Sequence, residues 1–262
     1  MELYTLLENI SLTFIFEVRK VINLTKVLRE SLDPKTIMSR DGSAAKQLQP
    51  QDICEFLKNV EKSLKDNPKQ DPIIIKLPKG EKKKELIREF VSYPEYHRLA
   101  AEMVLVYLIS IEESFIKEII KPILFFRKEL LMSRDKNICY EYLCAFNSIE
   151  EVIGYMVEEE SSRIGTNIDA QAKYFSGRPF LIDVKEFKNW KRLREANYRR
   201  HLIVHSQAIT DRDYCKSTGY RKTGVHLRTN FDYVDTIAND LIAFIKFFRK
   251  QLMMKFKIQK PR

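Results

Sequence analysis

Two of the chain's four histidines, His201 and His205, stand four residues apart in the segment Glu195-Ala-Asn-Tyr-Arg-Arg-His-Leu-Ile-Val-His-Ser206, directly after Arg199 and Arg200. At helical spacing both imidazoles fall on one face. Three chemistries are open to them. Histidines four apart can ligate zinc, but zinc takes three or four ligands; no Glu follows His201 and no third ligand is obvious. The pair can equally be packed or exposed with no chemical role. The third option is acid–base work. Imidazole titrates near neutrality and can take a proton from a ribose 2′-hydroxyl. Arg200 beside it can hold a phosphate and stabilise the charge that builds there.

The residues leading into this segment are basic. Seven Lys or Arg and two acids lie between Lys185 and Arg200. Phe187, Trp190 and Leu193 recur every third residue and predict a packed face. Lys188, Lys191, Arg192 and Arg194 then point elsewhere, along a face that can follow a phosphate backbone or simply be solvated. The whole chain has 262 residues and a formal net charge of +10. That surplus favours polyanionic partners, chiefly nucleic acid or an anionic membrane surface, or else only aids solubility.

These residues need elements to hold them. Low Gly and long Pro-free stretches predict an all-α protein. Residues 2–30 carry a three-and-four apolar pattern, closed by Ser31-Leu-Asp-Pro34. Residues 33–50 read as a loop, 51–65 as a short helix and 66–84 as a linker, with Ile73–Ile75 as a short extended piece. Helix resumes from residue 84, with a break expected at Tyr93-Pro94. A strongly apolar helix over 95–127 follows, bent at Pro122, burying Ala100, Val104, Tyr107, Leu108, Ile111, Phe115 and Ile119. Further helices are predicted over 137–146 and 148–159, the latter opened by a Ser148/Glu151 capping box. Residues 161–183 lack periodicity. Asp183 caps a predicted helix over 184–206, residues 207–229 form a polar loop, and Asn230 caps the last helix. Cys139 and Cys144 read as small core residues, and the four cysteines show no zinc spacing. No signal peptide or membrane-length apolar run is present, which predicts a cytoplasmic chain with no membrane partner.

The spacing from Arg200 to His205 is not unique. Arg221-Lys-Thr-Gly-Val-His226 repeats it, but in a Gly-containing loop, and Arg199 to His205 fits a looser register. Arg200 is preferred because a polar residue follows it directly. Arg200-His201-Leu-Ile-Val-His205 resembles the arginine, four to six residues, histidine motif of HEPN domains. His201 stands where that family more often has Asn. Tyr107-Leu-Ile-Ser-Ile-Glu-Glu-Ser-Phe115 is similar to the family's early helix, and Phe180-Leu-Ile-Asp183 and Ile209-Thr-Asp211 sit where similar segments lie. The resemblance spans residues 84–256 as a HEPN-like helical domain. Residues 1–80 form an N-terminal helical extension outside it.

The resemblance implies a helical bundle and a metal-independent endoribonuclease needing no cofactor. Two copies would face each other as a homodimer to form one composite site, cutting RNA to a 2′,3′-cyclic phosphate and a 5′-hydroxyl. His205 becomes general base or acid, Arg200 the phosphate clamp and His201 a helper or second proton carrier. Glu113 becomes the orienting carboxylate and Arg199 a supporting cation. Family members act mainly in toxin–antitoxin and abortive-infection defence, where an antitoxin or regulatory protein restrains them; the extension could sense, inhibit or dimerise. Two other readings stand beside this one. The first is a non-catalytic HEPN-like module that binds RNA or a protein. The second is a structural subunit of a larger defence complex.

Overall fold

The computed structural model describes residues 2–32, 81–131, 143–165 and 167–260, with side chains from Tyr96 onward in the second stretch. The described residues are α-helical, with two single 3-10 turns and one isolated antiparallel bridge between Ile209 and His226. The helices are α1 (Leu3–Ser31), α2 (Glu81–Phe126), α3 (Ile149–Ser162), α4 (Ile168–Ser176), α5 (Trp190–Ser206), α6 (Arg212–Thr218) and α7 (Phe231–Lys255). No described helix is long and apolar enough to cross a membrane.

The chain divides into two compact units, Met1–Thr25 with Ala101–Arg262, and Lys26–Ala100. The sequence places a boundary near residue 80; by contacts the first 25 residues join the unit that carries His201 and His205. The reason is the stripe Leu7, Ser11, Ile15, Val18, Val21 and Thr25, every one buried at helical spacing. Phe14 meets Phe115 of α2 edge-on at 5.6 Å, and the Thr25 hydroxyl donates to Asp235 of α7 at 2.8 Å.

In this unit α2 is the central element. It buries Val104, Leu105, Leu108, Ile109, Ile111, Phe115, Ile116, Ile119, Ile120, Ile123 and Leu124. Helix α7 supplies Val234, Ile237, Leu241, Phe244, Ile245 and Phe248 to the same core. A run of edge-on rings ties the layers together: Phe115 to Phe248, Phe248 to Phe175 of α4, and Phe175 to Phe180. Such contacts add to the burial of large apolar rings.

Several expectations change. Helix α2 runs through Tyr93-Pro94 without a break and, as the sequence predicts, continues through Pro122. A proline removes one helical hydrogen bond, and the remaining ladder together with packing carries the helix past it. Tyr107 is 53% exposed, because it lies about 100° around the helix from fully buried Leu108. The stretch read as non-periodic contains α4. Asn167 caps it, accepting from the Asp169 and Ala170 amides, and Ile168, Ala172 and Phe175 are buried. Asp183 caps only the 3-10 turn Val184–Glu186, and α5 begins at Trp190. The loop over 207–229 holds α6, capped by Asp211 and ended by Gly219 at φ 78°. Cys144 is exposed rather than in the core. Ser148 and Asn230 cap α3 and α7 as the sequence predicts. The pieces assigned to residues 33–80, and Cys139 with most of the predicted helix over 137–146, lie outside the described residues.

Candidate functional site

Helix α5 carries the site and is fixed to three neighbours by ionic contacts. Toward α7, Arg192 grips Asp240 with Nε at 2.6 Å and Nη2 at 2.8 Å, while the Asn189 amide donates to the same carboxylate at 2.6 Å. Asp240 is 5% exposed, so its charge is met inside the fold. Toward α4, Nε and Nη2 of Arg194 each lie 2.7 Å from an oxygen of Asp169, which also accepts from the Tyr198 hydroxyl at 2.7 Å. Hydrogen bonding from Arg194 holds the Asp169 carboxyl below its usual range. Arg194 also donates to the Ser217 carbonyl of α6.

The third set surrounds Glu195. Its carboxylate accepts from Arg199 Nε at 2.8 Å and from the hydroxyls of Tyr214 and Tyr233. The Arg199 guanidinium lies 4.4 Å from the Tyr233 ring centre, and its Nη1 donates to the Arg228 carbonyl at 3.1 Å. Burial, then the neighbouring carboxylate, pushes both phenols up. Arg199 is thus engaged by Glu195, the Tyr233 ring and the Arg228 carbonyl, and ties α5 to α7.

Arg200, next in sequence and about 100° further around the helix, faces α2. Its Nη2 lies 3.6 Å from Glu113 Oε1 on α2. Both are half-buried, and neither Arg200 Nε nor Glu113 Oε1 has a hydrogen-bond partner. Burial raises the Glu113 carboxyl; Arg200 and then Lys117 oppose that. Glu112 precedes it, 2% exposed, pushed up to about 8 by burial first and by the Glu113 charge second. Buried Gln171 of α4 is its polar neighbour and acts in the opposite direction, yet neither Glu112 oxygen makes a hydrogen bond of ordinary geometry. Behind Arg200 therefore sit two adjacent carboxyls, both raised by burial.

His201 and His205 are both exposed, their rings 4.6 Å apart and inclined at 48°. Helix α5 stops just past them. Gln207 and Ala208 take left-handed φ values of 50° and 60°, and the Ala208 amide closes on the Leu202 carbonyl at 3.0 Å. Beside His201 opens a cleft of about 550 Å³ between α5 and α6. Asn197, Tyr198, Arg200 and His201 line one wall, Asp213 and Lys216 the other.

The structure pairs Arg200 with Glu113 and His201 with His205, and Arg200 and His201 line one cleft. Arg199 is engaged elsewhere, and Arg192 and Arg194 are paired with buried or half-buried carboxylates. Lys188 and Lys191 are exposed at the start of α5, about 20 Å along the helix from His205. Sequence reasoning passed over Glu112, Asn197, Asp169 and Asp240. The adjacent acids of Glu112-Glu113 inside an apolar run were the one available signal. Among the described residues no group of three or more His, Cys, Asp or Glu is placed to hold a metal ion. Comparison with protein-family models, with curated proteins and with solved structures finds no match.

Proposed function

We propose that the chain is a HEPN-like nucleic-acid-processing domain. In particular, we read it as a metal-independent endoribonuclease of a toxin–antitoxin or abortive-infection system, acting as a homodimer with a composite site. The observation that carries this reading is the Arg200–Glu113 contact. A carboxylate on α2 steadies the guanidinium beside two exposed imidazoles at a helix end.

In this reading His205 takes the proton of a ribose 2′-hydroxyl. The 2′-oxygen bonds to phosphorus while Arg200 stabilises the oxyanion charge. The bond from phosphorus to the 5′-oxygen breaks, and that oxygen takes a proton from His201 or from a histidine of the second copy. The products are a 2′,3′-cyclic phosphate and a 5′-hydroxyl.

The deciding experiment incubates the full chain with single-stranded RNA in EDTA, beside His205→Ala. EDTA-resistant cleavage lost in the variant supports the reading. Cleavage that survives His205→Ala, or that requires added metal, sinks it. A second reading is a non-catalytic HEPN-like module that binds RNA or a protein partner. It is favoured by the pairing of Arg192 and Arg194 to Asp240 and Asp169, which ties part of the basic face to the fold. It predicts salt-sensitive RNA binding without products.

A further inference from the structure

The cleft between α5 and α6 contains a group that the cleavage scheme does not use. Asn197 is 7% exposed and lines the cleft, and its side-chain amide makes no hydrogen bond within the fold. An amide in the wall of a cleft can pair with a ligand or with water there. On α5, Asn197 stands one turn before His201 and two turns before His205, so one helix face runs from the cleft to the imidazoles. Across the cleft, Asp213 and Asp211 bring carboxylate oxygens. One Asp211 oxygen is taken by the Tyr214 amide at 2.7 Å. Lys216 adds a cation on the same wall.

We infer that this cleft is a nucleobase subsite for the nucleotide flanking the scissile phosphate, and that it selects bases carrying an exocyclic amino group. The inference rests on the ribonuclease reading and adds to it a specificity-determining residue. An amide offers one donor and one acceptor, the complement of a base edge. Carboxylates only accept, so they favour the amino groups of guanine, adenine and cytosine and disfavour the O4 edge of uracil. A cleft of about 550 Å³ holds one nucleotide rather than a helix of RNA.

The test uses full-length protein and single-stranded RNAs that differ only at the nucleotide next to the cut, read by mapping product ends. Wild type should cut next to amino-bearing bases about tenfold faster than next to uridine, and Asn197→Ala should bring the ratio to within about twofold. Asp213→Asn, at an exposed position that cannot unfold the core, should relax the discrimination against uridine by a similar factor. Wild-type cleavage without base preference, or a preference that both variants retain, overturns the subsite and leaves the ribonuclease standing. A parallel titration with CMP, GMP and UMP separates the remaining cases. If no RNA is cut but CMP and GMP bind better than UMP and lose affinity to Asn197→Ala, the ribonuclease falls and the base site stands. If free nucleotides bind through Asn197 while cleavage ignores the flanking base, the site serves a free nucleotide and the proposal is wrong.

Discussion

Arg200 and Glu113 meet between α5 and α2 with Nη2 3.6 Å from Oε1, while Arg200 Nε and that same carboxylate oxygen lack hydrogen-bond partners. The contact is long for a charge-assisted hydrogen bond, so it holds the guanidinium loosely beside the cleft that Arg200 lines. Replacing Arg200 by Ala should lower RNA cleavage by about 100-fold or more. Arg200→Lys should recover little of it, because an ammonium lacks the planar fork. Glu113→Gln should cost less, and in KM more than in kcat if its role is to steady the ground-state clamp. Equal activity in Arg200→Ala and wild type would remove Arg200 from the site.

Glu112 sets a pH dependence of stability. Its carboxyl titrates near 4.5 when unfolded and is pushed up to about 8 when folded. Below pH 4.5 it is neutral in both states and carries no penalty. Between these values the unfolded chain releases the proton while the folded one keeps it, so stability falls as pH rises and levels off above 8. Glu112→Gln copies the neutral acid. It should leave Tm unchanged near pH 4 and stabilise by about 2–4 kcal/mol at pH 8. Thermal melts across that range check it; a gain that is the same at both ends would contradict the buried neutral acid.

The Glu195 cluster makes a purely structural prediction. Tyr233→Phe removes one donor to Glu195 inside the fold and should destabilise by about 1–3 kcal/mol. Arg199→Ala strips both an ion pair and a ring contact and should cost at least as much. Urea titration measures both. Per folded molecule, Tyr233→Phe should still cut RNA, because Tyr233 bonds Glu195 and not Arg200 or the histidines.

His201 offers a sharper test of the cleavage scheme. His201→Asn installs the residue more usual after the motif arginine. If His201 is a helper, the variant should keep activity within about tenfold, while His205→Ala loses 100-fold or more. If His201 is itself the proton donor, His201→Asn should lose as much as His205→Ala.

RNA binding should weaken with salt. Lys188, just before α5, and Lys191, in its first turn, are exposed lysines. Changing both to Ala should reduce the slope of log affinity against log salt by about 1.4, at 0.7 per contact on single strands. An unchanged slope would place the RNA elsewhere on the molecule.

The amino-acid sequence by itself determined the elements whose signals are local. Periodic apolar residues with Ser148 and Asn230 at their starts marked α3 and α7, because a cap is satisfied by amides two or three residues away. The run from Lys185 to Arg200 likewise identified the helix with the two histidines. Short α4 and α6 were not legible, since seven to nine residues carry too few turns for a periodic signal. Only the tertiary structure decided what the charges do. Arg192 finds Asp240 48 positions away, Arg194 finds Asp169 25 positions away, and Arg200 finds Glu113 on α2. Arg199 and Arg200 look equivalent in sequence, yet a 100° step around the helix sends one into the Glu195 cluster and the other to the cleft. The same packing sets Asn197, 7% exposed, into the wall of the cleft, a placement no local pattern encodes, because burial depends on which helices meet.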